Sequence, residues 1–159
     1  MFRGAVLRLE LENWGDPFEH ELIRHPGAAA VLPVTPDGDV LLVRQFRPAV
    51  RRSLAEIPAG LLDVDGEDAL TAAARELFEE TGYRHETIEF LGGYYSSAGF
   101  TDEYVHLFHA TTRPEPEGAP EAGLELIRRP REEMVAAARG GRIRDVKTAL
   151  ALLIAEGRA

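Results

Sequence analysis

Glu76, Glu79 and Glu80 stand at i, i+3 and i+4 in the stretch A-R-E-L-F-E-E-T-G-Y, with Arg75 four residues ahead of Glu79. On a helix this spacing gathers three carboxylates on one patch of surface, about one turn apart. Like charges so placed repel one another, and a segment selected only for helix stability would interleave lysines. A cation is therefore expected beside them. Oxygen donors with no Cys or His nearby suit a hard divalent ion, Mg²⁺ first and Mn²⁺ as the alternative, which keeps some of its waters and bridges to substrate phosphates. A solvated acidic helix face is the plainer reading of such a charge run, and at this level both readings stand.

The element that must present these groups is a helix read from Glu67. Leu70, Ala73, Ala74, Leu77 and Thr81 recur at three- and four-residue steps and predict an apolar face opposite the carboxylates. Gly82 ends it, because glycine accepts the left-handed backbone that closes a helix. Ahead of the helix, residues 2–12 alternate as a strand and Phe18–His25 forms a second, giving a short N-terminal hairpin around a turn at Asn13–Pro17. Ala28–Val34 is a buried-type strand, and Asp37-Gly38 turns it into a return strand at Val40–Phe46. Arg47, Arg51 and Arg52 cluster around Pro48, and a solvated loop accounts for them as well as a site does. Leu54–Pro58 leads into the helix.

Beyond the helix, Thr87–Tyr95 reads as a strand kinked at Gly92-Gly93, and Tyr104–Ala110 as another. His106 and His109 fall on opposite faces of the latter, so both are read as structural. Between the strands lies S-S-A-G-F-T-D-E, holding Gly99, Phe100 and Glu103. Arg113–Gly123 is rich in Pro, Glu and Gly and is expected to be a mobile loop. Leu124–Arg128 is a last strand, Arg131–Arg139 a helix stopped by Gly140-Gly141, and Asp145 the cap of a final helix ending near Glu156.

The chain as a whole restricts the partners. Its 159 residues carry 27 acidic against 18 basic side chains, a formal net charge of −9, which repels a nucleic-acid backbone. A small phosphate ester remains compatible, given metal ions and a few placed arginines. The absence of cysteine excludes thiol chemistry and fits a reducing compartment. The alternating N-terminus lacks the apolar core of a secretory signal, and no apolar run approaches the ~18 residues of a membrane helix. A single cytoplasmic domain over residues 1–159 is the expectation.

Glu67, seven residues and R-E-L-F-E-E-T-G-Y match the end of the Nudix box, G-x5-E-x7-R-E-U-x-E-E-x-G-U, where U is apolar or aromatic. A chance match over these positions is on the order of one in a thousand or less at ordinary residue frequencies. Six residues rather than five separate Gly60 from Glu67, an insertion that costs little and leaves the helical spacing intact. The chain thus resembles the Nudix hydrolases, whose fold is mixed α/β, a mixed sheet between helices. Within them, V-R-Q-F-R-P-A-V and L-A-E-I-P-A-G-L-L-D, with S-A-G-F-T-D-E at Ser97–Glu103, are similar to the ADP-ribose pyrophosphatases, although Ala98 stands where those carry proline.

That resemblance implies hydrolysis of ADP-ribose to AMP and ribose 5-phosphate, with another nucleoside diphosphate sugar, or a non-catalytic nucleotide sensor, as the alternatives. It further implies metal binding by Glu76, Glu79, Glu80 and the Ala59 carbonyl. Arg75 would orient a box carboxylate, most simply Glu79. Arg44 and Arg47 would contact the diphosphate or terminal ribose, with Glu56, Gly99 and Phe100 lining the pocket. The base is expected to be Glu121 on the mobile loop, with Glu103 and Glu79 as alternatives. Residues 1–26 would join a homodimer interface, where Trp14 and Phe18 either stack on adenine or pack against the partner subunit.

Overall fold

The computed structural model describes residues 1–15 and 17–158; Asp16, in the expected turn at 13–17, lies outside the described residues. The N-terminal region is a small antiparallel sheet of β1 (Phe2–Arg3), β2 (Arg8–Glu12) and β3 (His20–Arg24) in that order. The expected strand 2–12 is broken by a turn in which the Gly4 N–H donates to the Leu7 carbonyl. The hairpin therefore has three strands. The second expected strand begins two residues late, at His20 rather than Phe18.

The main sheet runs β10–β5–β4–β9–β8, from β10 (Glu125–Pro130) through β5 (Asp39–Arg47), β4 (Ala28–Val34) and β9 (Tyr104–Thr112) to β8 (His85–Tyr95). Two short strands flank it: β6 (Arg52–Glu56) pairs with β5, and β7 (Ala59–Leu61) with β4. The β4–β9 pairing is parallel and the others are antiparallel, so the sheet is mixed. Being central, β4 is covered on both faces, which is why Ala28–Val34 reads as a continuous apolar run rather than an alternating one. Ala29 and Val31 meet α1 (Ala69–Thr81), while Ala30 and Leu32 meet α2 (Arg131–Arg139) and α3 (Val146–Gly157). Each fully buried leucine in these two layers, such as Leu32, Leu77 and Leu152, contributes about 1.5–3 kcal/mol.

The helix that carries the carboxylates differs from its sequence reading in two ways. It starts at Ala69, not Glu67, because the Asp68 carboxylate accepts the Thr71 N–H at 2.7 Å and caps it, leaving Glu67 outside the helix. Its buried face is also rotated: Ala72, Ala73, Leu77, Glu80 and Thr81 are buried, and Leu70 is exposed. The apolar and acidic faces are therefore not opposite each other. Residue 80 must turn inward because it shares its face with Leu77 and Ala73, at three- and seven-residue spacings. Gly82 closes the helix at φ 77° with its N–H on the Phe78 carbonyl, as expected. The kink in β8 falls as expected, with a register shift between Phe90 and Gly92.

Candidate active site

One short connection brings the cleft together. The chain leaves β6, passes Ile57 and Pro58, and pairs Gly60 of β7 with Ala29 of β4. This puts the backbone of Gly60 under α1. A Cβ at Gly60 would lie 1.9 Å from Glu76 Oε1, so glycine is what lets that carboxylate rest in this position, and a larger residue would make it swing away. The neighbouring Ala59 N–H donates to Glu80 Oε2 at 3.3 Å. Gly60 thus cradles one box carboxylate and Ala59 tethers another.

The electrostatics of this group are unbalanced. Glu80 is 7% exposed, and burial together with the charges of Glu76 and Glu121 pushes its carboxyl up to about 7, against the weaker pull of the Ala59 N–H. Burial also raises Glu76, with Glu79 and Glu121 adding to the effect and Arg75 opposing it. Arg75 is the local cation. Its main partner is Glu67, which takes Nε at 2.9 Å and Nη2 at 3.0 Å in a two-point contact, and its Nη1 is shared between Glu76 at 2.5 Å and Glu79 at 3.0 Å. The expected Arg75–Glu79 contact exists, but Glu67 is what fixes the guanidinium, and Arg75 in turn holds Glu67 below the usual carboxylate range.

Among the described residues no group of three or more His, Asp or Glu side chains is already arranged to hold a metal ion. Arg75 holds Glu76 and Glu79 toward itself in this arrangement. The donor chemistry nevertheless fits a hard divalent cation: oxygen atoms only, a glycine cradle, and buried carboxylates held in their ionised form only at a cost. Glu79, half exposed, is free of the constraints that hold Glu80 and can turn from Arg75.

The far wall of the cleft is lined by Arg47, His25, Glu103 and Lys147, which face Ala59 and Gly60. Glu103 accepts from Ser96 Oγ at 2.5 Å and lies 3.6 Å from His25 Nε2. The loop that carries it is pinned to β3, for Asp102 accepts the His25 N–H at 2.8 Å and Arg24 Nη1 at 3.2 Å, and the Phe100 carbonyl accepts the Ile23 N–H at 2.7 Å. Gly99 and Phe100 form its exposed tip. Trp14, also exposed, donates its indole N–H to Glu12 at 2.8 Å and shares a surface hollow with Arg24, Tyr95 and Phe100, outside this cleft. Phe18 is exposed on the same N-terminal region.

The two candidate arginines part company. Arg47 reaches the cleft, but Arg44 pairs with Glu125 of β10 at 3.0 Å on the exposed opposite side of β5. Glu56 lines the cleft wall beside Arg47, Glu103 and Lys147, as expected, but it is 2% exposed and both its oxygens are taken by Arg47 and Lys147. Burial alone would raise its pKa, and the two cations outweigh that and hold it below the ordinary value. Lys147 and Asp145 were beyond sequence reasoning as cleft residues, because Lys147 lies 91 positions from Glu56.

Glu121 sits on the loop between β9 and β10, close enough for its charge to act on both Glu76 and Glu80. That loop is fastened at its base. The Gly82 carbonyl accepts the N–H groups of Glu117 at 2.8 Å and Gly118 at 3.2 Å, Arg84 and Arg113 both pair with Glu117, and Arg84 lies 4.0 Å above the Phe78 ring. Composition signalled a mobile loop and gave no sign of this clasp.

Comparison with known proteins bears on the same segment. The NUDIX domain matches residues 24–148. The chain is 38% identical to the methanol dehydrogenase activator of Bacillus methanolicus over 96% of this chain and 86% of that protein. It is 43% identical to the ADP-ribose pyrophosphatase of Bacillus subtilis over 69% of this chain, and spans 61% of that enzyme's length. It is 33% identical to the GDP-mannose pyrophosphatase of Yersinia enterocolitica over 84% of this chain and 74% of that one. The box helix that organises the cleft lies wholly inside the matched region, and the chain belongs to the Nudix hydrolase family, with ADP-ribose pyrophosphatases among the members it resembles.

Proposed function

We propose that this chain is a Mg²⁺-dependent pyrophosphohydrolase that cleaves the diphosphate bond of ADP-ribose, giving AMP and ribose 5-phosphate. One observation carries the reading: Glu76 and Glu80 are withdrawn from solvent around Ala59 and Gly60, while the neighbouring cation, Arg75, is divided among Glu67, Glu76 and Glu79 and leaves Glu80 with the Ala59 N–H. Such a group is costly unless a cation joins it. Glu76, Glu79, Glu80 and the Ala59 carbonyl would hold that cation. A bound Mg²⁺ would offset the diphosphate's charge and lower the pKa of a water.

The chain's own residues supply the remaining steps. Arg47, fixed by Glu56, offers its guanidinium to a substrate phosphate across the cleft. Arg75, clamped by Glu67, holds Glu76 and Glu79 by charge-assisted hydrogen bonds on the cleft side of α1. A carboxylate must take the proton from the attacking water. Glu121 is the first choice, because its charge already reaches Glu76 and Glu80, while Glu103 lines the facing cleft wall and Glu79 stands beside Arg75 on α1. A homodimer formed through residues 1–26 accords with the exposed Phe2, Leu9, Leu11 and Trp14 of the N-terminal sheet. Among the described residues no helix is long and apolar enough to cross a membrane.

A second reading changes only the substrate, to another nucleoside diphosphate sugar. It is favoured by Ala98, which departs from the S-P-G-F-T-D-E loop that the ADP-ribose pyrophosphatase resemblance implies, and by the fuller coverage of the GDP-mannose pyrophosphatase. Mass-spectrometric product identification decides between them, using ADP-ribose, ADP-glucose and GDP-mannose with and without Mg²⁺. AMP and ribose 5-phosphate, formed fastest from ADP-ribose and only with metal, is the expected result. Faster turnover of either sugar nucleotide moves the assignment to it, and no turnover of any of the three by folded, metal-supplied protein overturns both readings.

A further inference from the structure

The first turn of α3 is bolted to the strand connection that forms the cleft floor. Asp145 Oδ2 accepts the Thr148 N–H at 3.0 Å and the Thr148 hydroxyl at 2.5 Å, and that hydroxyl accepts the Ile57 N–H at 2.8 Å. From this base Lys147, largely buried, donates to Asp145 Oδ1 at 2.9 Å and to Glu56 Oε2. Glu56 accepts Arg47 Nε at 2.8 Å and Nη2 at 2.7 Å. Two cations and two carboxylates thus form one neutral chain running from α3 to the cleft. Lys147 and Arg47 are also neighbours along the cleft wall, beside Ala59 and Gly60.

Arg47 spends Nε and Nη2 on Glu56, so Nη1 is the part of its fork not used in that contact. Without a second cation, a buried Glu56 charge would rest on Arg47 alone and compete with any phosphate for the same guanidinium. We propose that Lys147 is a positioning residue for phosphate binding: by sharing the Glu56 charge, it holds Arg47 with its remaining edge available to the substrate diphosphate. The inference rests on the proposed pyrophosphohydrolase reading for its substrate, although the contacts that motivate it lie outside the carboxylate group on α1.

Its test is the pair Lys147→Met and Lys147→Arg in the full chain, with steady-state kinetics on whichever nucleotide sugar the wild type turns over and calorimetric titration with ADP. Lys147→Met is expected to raise KM and the ADP Kd about tenfold, the scale of one weakened charge-assisted hydrogen bond, with little change in kcat. Lys147→Arg restores most of that loss, because it returns the charge to Glu56. A merely structural lysine would instead lower the active fraction and leave KM and Kd alone, which overturns the proposal. Should Lys147→Met not fold, Lys147→Gln, which keeps a hydrogen-bond donor for Glu56 but not the charge, takes its place; an unchanged ADP Kd in that variant sinks the idea too. The ADP titration separates the two claims: wild type that binds ADP without hydrolysing any sugar nucleotide defeats the activity and leaves Lys147 testable, and wild type that does not bind ADP overturns the role given to Lys147.

Discussion

The carboxylates on α1 and the cluster at Glu56 use the same residue types to opposite ends. At Glu56, two cations meet two carboxylates, and a glutamate that is 2% exposed is nonetheless held below its ordinary pKa. On α1, Arg75 serves Glu67, Glu76 and Glu79, while Glu80, nearly as buried as Glu56, is pushed up to about 7. Burial penalises both alike, so the difference lies in how many counter-charges stand within reach. A balanced cluster is architecture. An unbalanced one, kept in a folded protein, marks where something from outside is received.

The strongest way to break this contrast is to remove a charge from each side. Glu80→Gln is expected to reduce turnover on the order of a thousandfold, the scale on which a lost electrostatic contribution at developing charge is felt. The metal-free variant should melt no lower than wild type at pH 8, because a like charge has gone. A lowered melting temperature there would show that Glu80 is structural. The matching change at the other cluster, Glu56→Ala, takes the carboxylate from Arg47 and leaves Lys147 only Asp145, and should cost about 3 kcal/mol in denaturant unfolding, near the low end for a broken buried pair because Arg47 reaches solvent. A loss of activity from Glu56→Ala with no loss of stability would erase the distinction between the clusters.

Smaller effects sharpen it. At Gly82 the backbone has φ 77°, and a Cβ would come within 2.1 Å of the Gly118 carbonyl oxygen, so Gly82→Ala should destabilise by about 1–2 kcal/mol through strain and a displaced loop. Thermal unfolding gives the stability cost, and a larger fall in kcat than in substrate affinity would tie that loop to the proton transfer. The smallest effect is in pH. Because the folded pKa of Glu56 is depressed, its contribution is complete above the ordinary glutamate value of 4.5 and is lost as pH falls through the folded value. Between pH 6 and 3 the melting temperature of wild type should therefore fall more steeply than that of Glu56→Gln; parallel curves would remove Glu56 from the acid response.

Much of this was legible beforehand, and for a reason. Strands such as Ala28–Val34, the caps at Asp145 and Gly82, and the Arg131–Arg139 helix follow local rules that a dozen residues contain. The box spacing is equally local. What escaped was anything settled by packing between distant segments: the rotation that buries Glu80, the diversion of Arg44 to Glu125, and the alliance of Lys147 with Glu56. The capping of the helix by Asp68 could have been read, since Asp at that position competes directly with a start at Glu67. The three-stranded form of the N-terminal sheet follows from the turn between Gly4 and Leu7, where the run Ala5-Val6-Leu7 interrupts the alternation.

The clasp at Gly82 carries a consequence for cooperativity. One carbonyl at the end of the box helix receives two amides from the loop that bears Glu121. Fraying of that last helical turn and detachment of the loop are therefore a single opening event, and any ligand that rigidifies the helix slows hydrogen exchange at Glu117 and Gly118 without touching either.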